Sequence, residues 1–345
     1  MMEDFKALEF RNGELILIDQ RILPEKFEYT KALSVEDVYF AIKDMIVRGA
    51  PAIGGVAGYG VWFAAKEAKG DVELFNRKCD YLASSRPTAV NLTWAVERCR
   101  KVGLESGLDM DLLLKEADAI VKEDIEMNLT LSRIGAKVVP MGGTVLTHCN
   151  AGALATCGWG TAVGVIKMAW EEGRLSHAYA DETRPRFQGA RLTAWELVHA
   201  GIPSTLIPDS AAATLIRAGK IDCVILGADR ITTNGDVANK LGTFPLSIEC
   251  KEYGVPFYSV APTSTIDFNM ADGKDIPIEE RNKDEVIYPG GGSLRVAPLE
   301  IDVFNPAFDM TPHQNITGII TEKGIIRPPF NENIERIRKG EPLLG

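Results

Sequence analysis

A chain of 345 residues with 46% hydrophobic and 25% charged residues is long enough for two hydrophobic cores and needs no staples to fold. Lys plus Arg number 38 against 48 Asp plus Glu, a net charge of −10, which repels nucleic acid and anionic membranes in a chain with no long basic run. No apolar run reaches the roughly 18 residues of a membrane span, the six cysteines form no C-x-x-C pair, and the acidic start Met1-Met2-Glu3-Asp4 is unlike a signal peptide, so the expectation is a soluble cytoplasmic protein with reduced thiols.

The first elements alternate: Phe5, Ala7, Leu8 and Phe10, then Asn12-Gly13, then Leu15 to Ile18, the pattern of a β-hairpin around a two-residue turn. From Ser34 the period changes. Ser34 followed by Asp37 resembles an N-cap box, and Val38, Ala41, Ile42, Met45 and Ile46 recur at three and four, which predicts a helix ending near Gly49. Pro51 opens a second helix to about Lys69, Asp71 to Leu82 is a third and Pro87 to Val102 a fourth, because proline is tolerated in a first helical turn. Residues 109 to 137 read as one long helix stopped before Pro140. The expectation is a hairpin plus helical domain over 1–125.

After Gly142-Gly143 the rhythm becomes strand, helix, strand. Predicted strands are 144–149, 177–181, 204–208, 222–228, 256–261 and 317–321, with helical patterns between most of them, as at 189–200 and 210–218. That alternation predicts an α/β domain over 126–345 built on a doubly wound parallel sheet. The tract 269–300, with Gly290-Gly291-Gly292, reads as a long loop.

Ligands of such sheets bind outside the strand carboxyl ends, which here carry Cys149-Asn150, Asp181-Glu182, Asp209, Asp229-Arg230 and Thr263. An Asp after a strand often only caps the next helix, and for Asp209 that reading weighs as much as a functional one. Asp181 and Glu182 have Arg184 and Arg186 within a turn, which predicts an ion-pair lattice. Asp229 follows an apolar strand and precedes a polar stretch. Cys79, Cys99, Cys223 and Cys250 read as core residues, and Cys157, inside a loop, as structural. Cys149 differs because it closes a strand and is followed by Asn150-Ala151-Gly152, whose backbone N–H groups favour a thiolate.

Arg48-Gly49-Ala50-Pro51 and Arg86-Pro87-Thr88-Ala89 each place an arginine at a helix start, where free N–H groups attract anions. With Asn239-Lys240 as a third candidate, these segments point to a phosphorylated small molecule. Gly54-Gly55 and Gly58-Tyr59-Gly60 do not follow a predicted strand and so fail as a dinucleotide fingerprint. The histidines at 148, 177, 199 and 313 lack metal-ligand spacing. Neither a cofactor nor a metal is expected.

Taken together, Arg48 to Gly54, Arg86 to Leu92, Thr147 to Gly152, Asp181 to Pro185, Gln188 to Thr193, Gly227 to Arg230 and Asn305 to Pro312 resemble the methylthioribose-1-phosphate isomerase family. The motifs run nearly from end to end. The resemblance implies a homodimeric enzyme of methionine salvage with an N-terminal helical domain and a C-terminal Rossmann-like domain. It assigns catalysis to Cys149 and Asp229, and substrate contacts to Arg48, Gly49, Ala50, Arg86, Gln188, Asn239 and Lys240. The family shares its fold with the alpha, beta and delta regulatory subunits of the exchange factor for translation initiation factor 2 (initiation factor 2B), and neighbours ribose-1,5-bisphosphate isomerase. A non-catalytic binding protein and the bisphosphate enzyme are therefore the alternatives.

The reaction the resemblance implies explains the residue types. Phosphate on the anomeric oxygen prevents simple hemiacetal ring opening, so a proton donor must act on the ring oxygen. Asp229 suits that role if burial keeps it protonated. Hydrogen then moves from C2 to C1, as a proton with Cys149 as base or as a hydride with Cys149 stabilising charge.

Overall fold

Asn12 and Gly13 both take positive φ, 52° and 75°, as a type I′ turn requires, and they join Leu8–Arg11 (β1) to Glu14–Ile18 (β2) with Arg11 opposite Glu14. Tyr29–Ala32 (β3) adds an antiparallel strand on β2. Sequence reasoning misses it because only Ala32 of the four is buried, so no apolar alternation marks it. This computed structural model describes residues 5–86 and 89–344. The start at Met1–Asp4 and the helix opening assigned to Pro87 lie outside the described residues.

Val35–Lys43 (α1) begins as predicted, with the Ser34 hydroxyl accepting the Asp37 N–H at 3.1 Å and the Asp37 carboxylate accepting the Leu33 N–H at 2.8 Å. It ends at Lys43, short of Gly49. Ile46 and Val47 continue the apolar pattern for another reason: both are buried while their backbones bond to Gln20 and Ala41, so the periodicity outlasts the helix. Ala50–Ala68 (α2), Val72–Ala83 (α3), Val90–Ser106 (α4) and Met110–Ala136 (α5) follow. α2 is buried on nearly every face, which its uniformly apolar sequence requires. Its glycines serve packing: a Cβ on Gly60 would meet Leu82 Cδ2 at 2.6 Å.

The chain divides into two compact units, residues 1–127 with 152–160, and 128–151 with 161–345. In the second, Gly143–Thr147 (β4), Ala162–Glu171 (α6), Leu175–Asp181 (β5), Ala194–His199 (α7), Ser204–Ile207 (β6), Ala212–Arg217 (α8) and Cys223–Gly227 (β7) alternate as expected. Arg230–Thr232 (β8), Val237–Lys240 (β9), Thr243–Tyr253 (α9), Phe257–Val260 (β10), Ile266–Asp267 (β11), Asp284–Ile287 (α10), Phe308–Thr311 (β12), Gly318–Thr321 (β13), Gly324–Ile326 (β14) and Phe330–Lys339 (α11) complete it. The tract 269–300 is irregular around α10 and two 3-10 turns.

The main sheet runs β14-β13-β10-β7-β4-β5-β6, all neighbours parallel except the edge pair β13–β14. This is the doubly wound α/β architecture the sequence predicts. From β4 the chain winds outward through β5 and β6, then returns to β7 and winds the other way, so the order reverses between β4 and β7. In open parallel sheets that switch point is where ligands bind. A smaller sheet, β11-β8-β9-β12, was not predicted.

Candidate active site

Cys149 and Asp229 follow the carboxyl ends of β4 and β7, the two parallel neighbours that flank the switch point. A Cβ on Gly227 would stand 2.9 Å from Ala151 Cβ, so the two strand ends pack tightly. The flanking side chains turn inward: His148 and Asn150 are buried, Asn150 donating to Glu196 at 2.9 Å and to Thr193 at 3.2 Å. Cys149 between them is half-buried, and among the described residues it is the one cysteine that is not buried.

Its backbone is strained. Cys149 has φ 61° and Thr183 has φ 65°, the latter costly for a β-branched residue. Local bonds hold both. The Cys149 N–H donates to the Thr183 hydroxyl at 2.9 Å, that hydroxyl donates to the Asp181 carbonyl at 3.2 Å, and Thr193 Oγ1 donates to the Cys149 carbonyl at 2.5 Å. Asp209 accepts the N–H groups of Thr183 at 2.7 Å and Arg184 at 2.8 Å. It therefore caps this loop rather than the helix that follows it.

The predicted ion-pair lattice is not how Asp181 is satisfied. Asp181 takes His148, with Nδ1 2.9 Å from Oδ2, while Arg186 lies 3.5 Å from Glu285. Burial opposes the imidazolium, but the Asp181 carboxylate outweighs it and His148 titrates above its ordinary value. Burial raises Asp181, and Asp209 adds to the rise. His148, Asp181 and Asp209 bring potential ligand atoms within 4.8 Å of one another. Both ring nitrogens of His148 and both oxygens of Asp209 are nevertheless engaged by protein groups.

Asp229 is exposed, so the burial expected to keep it protonated is not supplied by the folded chain. Its N–H donates to the Ala238 carbonyl at 2.9 Å, which ties it to the strand carrying Asn239 and Lys240. Asn239 is buried and donates to Thr243 Oγ1 at 3.0 Å; Lys240 donates to the Ala307 carbonyl at 2.8 Å and lies 4.9 Å over the Phe308 ring. Gln188 leads into a π-helical turn, Gly189–Thr193, an element frequent at functional sites. Its Oε1 is buried without a hydrogen-bond partner among the described residues. A Cβ on Gly189 would fall 1.7 Å from the Asp181 carbonyl oxygen, so only glycine fits beneath Gln188.

In the helical unit, Gly49 has φ 95° and a Cβ there would meet the Ala155 carbonyl oxygen at 2.3 Å. Gly49 caps α2, with Ala50 and Pro51 in its first turn and no acidic residue there, the anion-ready helix start the sequence predicts. Arg48 and Arg86 are half-buried, and Pro87 and Thr88 of the second motif lie outside the described residues.

Sequence reasoning missed His148, Thr183 and Asp309. Asp309 accepts the N–H groups of Gly242 at 2.7 Å and Phe244 at 3.0 Å. Burial lifts its carboxyl from 3.8 to about 6 despite those donors. Its signal was a lone carboxylate among the apolar residues of Phe308–Thr311. His313 Nδ1 lies 2.8 Å from Asp236 Oδ1.

The Initiation factor 2 subunit family model matches residues 46–328. The chain is 56% identical to a protein named methylthioribose-1-phosphate isomerase from Thermoanaerobacter sp. (strain X514), over 98% of this chain and 100% of that one. The crystal structure of 5-methylthioribose 1-phosphate isomerase from Pyrococcus horikoshii OT3 superposes with a TM-score of 0.93 at 45% identity, covering 97% of this chain and 96% of that one. A structure titled translation initiation factor eIF-2B, subunit delta, from A. fulgidus gives 0.89 at 42% identity, covering 97% and 100%. The chain belongs to the Initiation factor 2 subunit family and, within it, to the methylthioribose-1-phosphate isomerases.

Proposed function

We propose that this chain isomerises 5-methylthioribose 1-phosphate to 5-methylthioribulose 1-phosphate in methionine salvage, with Cys149 and Asp229 as the catalytic pair. The observation that carries the reading is their placement on neighbouring strand ends at the point where the sheet order reverses, in a chain that matches proteins of that name from end to end.

Asp229 gives a proton to the ring oxygen as the bond from C1 to that oxygen breaks. Seated substrate excludes water from this exposed carboxyl and supplies the surroundings the chain alone does not. Hydrogen leaves C2 and arrives at C1, through Cys149 as base or as a hydride. Either way the product is an isomer and nothing is consumed. The unpartnered Oε1 of Gln188 suits a sugar hydroxyl donor, and Asn239 and Lys240 serve the phosphate end. The same reading gives substrate contacts to Arg48, Gly49, Ala50 and Arg86. The enzyme works as a cytoplasmic homodimer on this small molecule, without nucleic acid or membrane; among the described residues no helix is long and apolar enough to cross one.

The likeness to a structure titled as a translation factor sustains a second reading, a non-catalytic binding subunit. Such a protein has no use for a strained half-buried thiol beside a polar network. Incubation with 5-methylthioribose 1-phosphate and, separately, ribose 1,5-bisphosphate, followed by NMR, tests the choice. Ketose from the first substrate is expected. Turnover of the bisphosphate alone moves the activity to the neighbouring enzyme, and turnover of neither favours the binding protein. In D₂O, solvent deuterium in the ketose marks the proton route.

A further inference from the structure

One peptide group, Leu241–Gly242, is held at both poles. Its carbonyl accepts from Nε2 of His148 at 3.0 Å, and its N–H donates to Oδ2 of Asp309 at 2.7 Å. A carbonyl only accepts, so Nε2 carries the proton, while Nδ1 faces Asp181 at the end of β5. The loop also rests on the ring: Gly242 has φ 108°, and a Cβ there would lie 2.8 Å from His148 Cε1. His148 directly precedes Cys149, and Leu241 directly follows Lys240. The imidazole therefore spans the distance between a candidate catalytic thiol and the segment carrying two candidate substrate contacts.

We propose that His148 is a positioning residue that sets where Asn239 and Lys240 stand relative to Cys149, with Asp309 gripping the other pole of the same peptide. The inference rests on the isomerase reading for its catalytic consequence. Its structural consequence stands alone: releasing the peptide frees the Cys149 strand end. No other side chain among the described residues makes both of these bonds.

The test uses the full-length protein with His148→Leu, which keeps bulk and loses both bonds, and His148→Gln, whose carboxamide N–H can replace the Nε2–H bond to the Leu241 carbonyl that holds the peptide. Isomerisation of 5-methylthioribose 1-phosphate gives kcat and KM, and iodoacetamide labelling reads Cys149, because the other five cysteines are buried. Displacing reacting groups by about 1 Å costs on the order of 100-fold. His148→Leu is therefore expected to lower kcat by roughly 10- to 100-fold with a smaller change in KM, and to speed Cys149 labelling. His148→Gln is expected to recover most of both. Should His148→Leu fail to fold, Asp309→Ala, which frees the other pole, is expected to show the same kcat loss and faster labelling. Wild-type kcat and labelling in a folded His148→Leu or Asp309→Ala protein overturn the proposal, as does a Gln variant no better than Leu. If the wild type itself produces no ketose, the isomerase reading fails, and the labelling rates alone decide whether His148 holds the strand end.

Discussion

The Thr183 hydroxyl accepts the Cys149 N–H at 2.9 Å, joining two non-glycine residues that both sit in the left-handed region. The bond matters because neither conformation is favourable alone: each costs of order 1–3 kcal/mol unless its surroundings impose it. Asp209 fixes Thr183 from the other side. The thiol is thus aimed by a chain of three residues from three strand ends.

Replacing Thr183 with Val keeps the shape and removes the hydroxyl, leaving the Cys149 N–H without this partner. A lost buried partner costs about 1–3 kcal/mol, so urea unfolding should show a loss of that size, with turnover lowered as the thiol drifts. Thr183→Ser, which keeps the hydroxyl, should restore turnover. Equal turnover in the Val and wild-type proteins would show that the bond does not aim Cys149.

Gly189→Ala places a methyl group where the Asp181 carbonyl oxygen already is, 1.7 Å from the new Cβ. Backbone must move, and overpacking of this kind costs about 3 kcal/mol or more. Because Asp181 also holds His148, activity should fall along with stability. A urea midpoint within error of wild type would contradict the packing described around Gln188.

Asp309 makes stability depend on pH. Its carboxyl titrates near 6 in the folded protein against an ordinary 3.8. The folded state therefore favours the protonated form, and this contribution is complete below about pH 4 and is lost as pH rises through 6. The difference in pKa corresponds to at most roughly 3 kcal/mol. Asn cannot titrate, so the unfolding free energy of Asp309→Asn minus that of wild type should rise between pH 4 and 7. A difference that stays flat across that window, measured by urea unfolding, would falsify the assignment.

The central parallel strands β4, β7, β10 and β13 were legible because they are short, mostly apolar runs buried on both faces, and Cys149 and Asp229 drew attention because they close two such runs. β9 and β12 were not. Val237–Lys240 is half polar and becomes a strand by pairing with Phe308–Thr311, Asn239 opposite Asp309, a partner no local pattern announces. The supports of the site share that difficulty. His148 reaches Leu241 across 93 positions, and Asp309 reaches Gly242 across 67. Sequence pointed to the residues proposed to carry chemistry by their place at strand ends, but not to the residues that hold them, because folding alone makes them neighbours. Asp229 shows the opposite error: an apolar strand before it does not bury the residue after it.

Whether Cys149 and Asp229 act together in one isomerisation, as proposed, is read most directly from turnover of 5-methylthioribose 1-phosphate by wild type, Cys149→Ser, Asp229→Asn and the double variant. Proton-transfer groups contribute about 10²–10⁴-fold, so each single change should lower kcat by that order while folding is retained. The double variant should lose far less than the product of the two, because groups acting in one step are not additive. Near-normal turnover in both single variants would contradict the account.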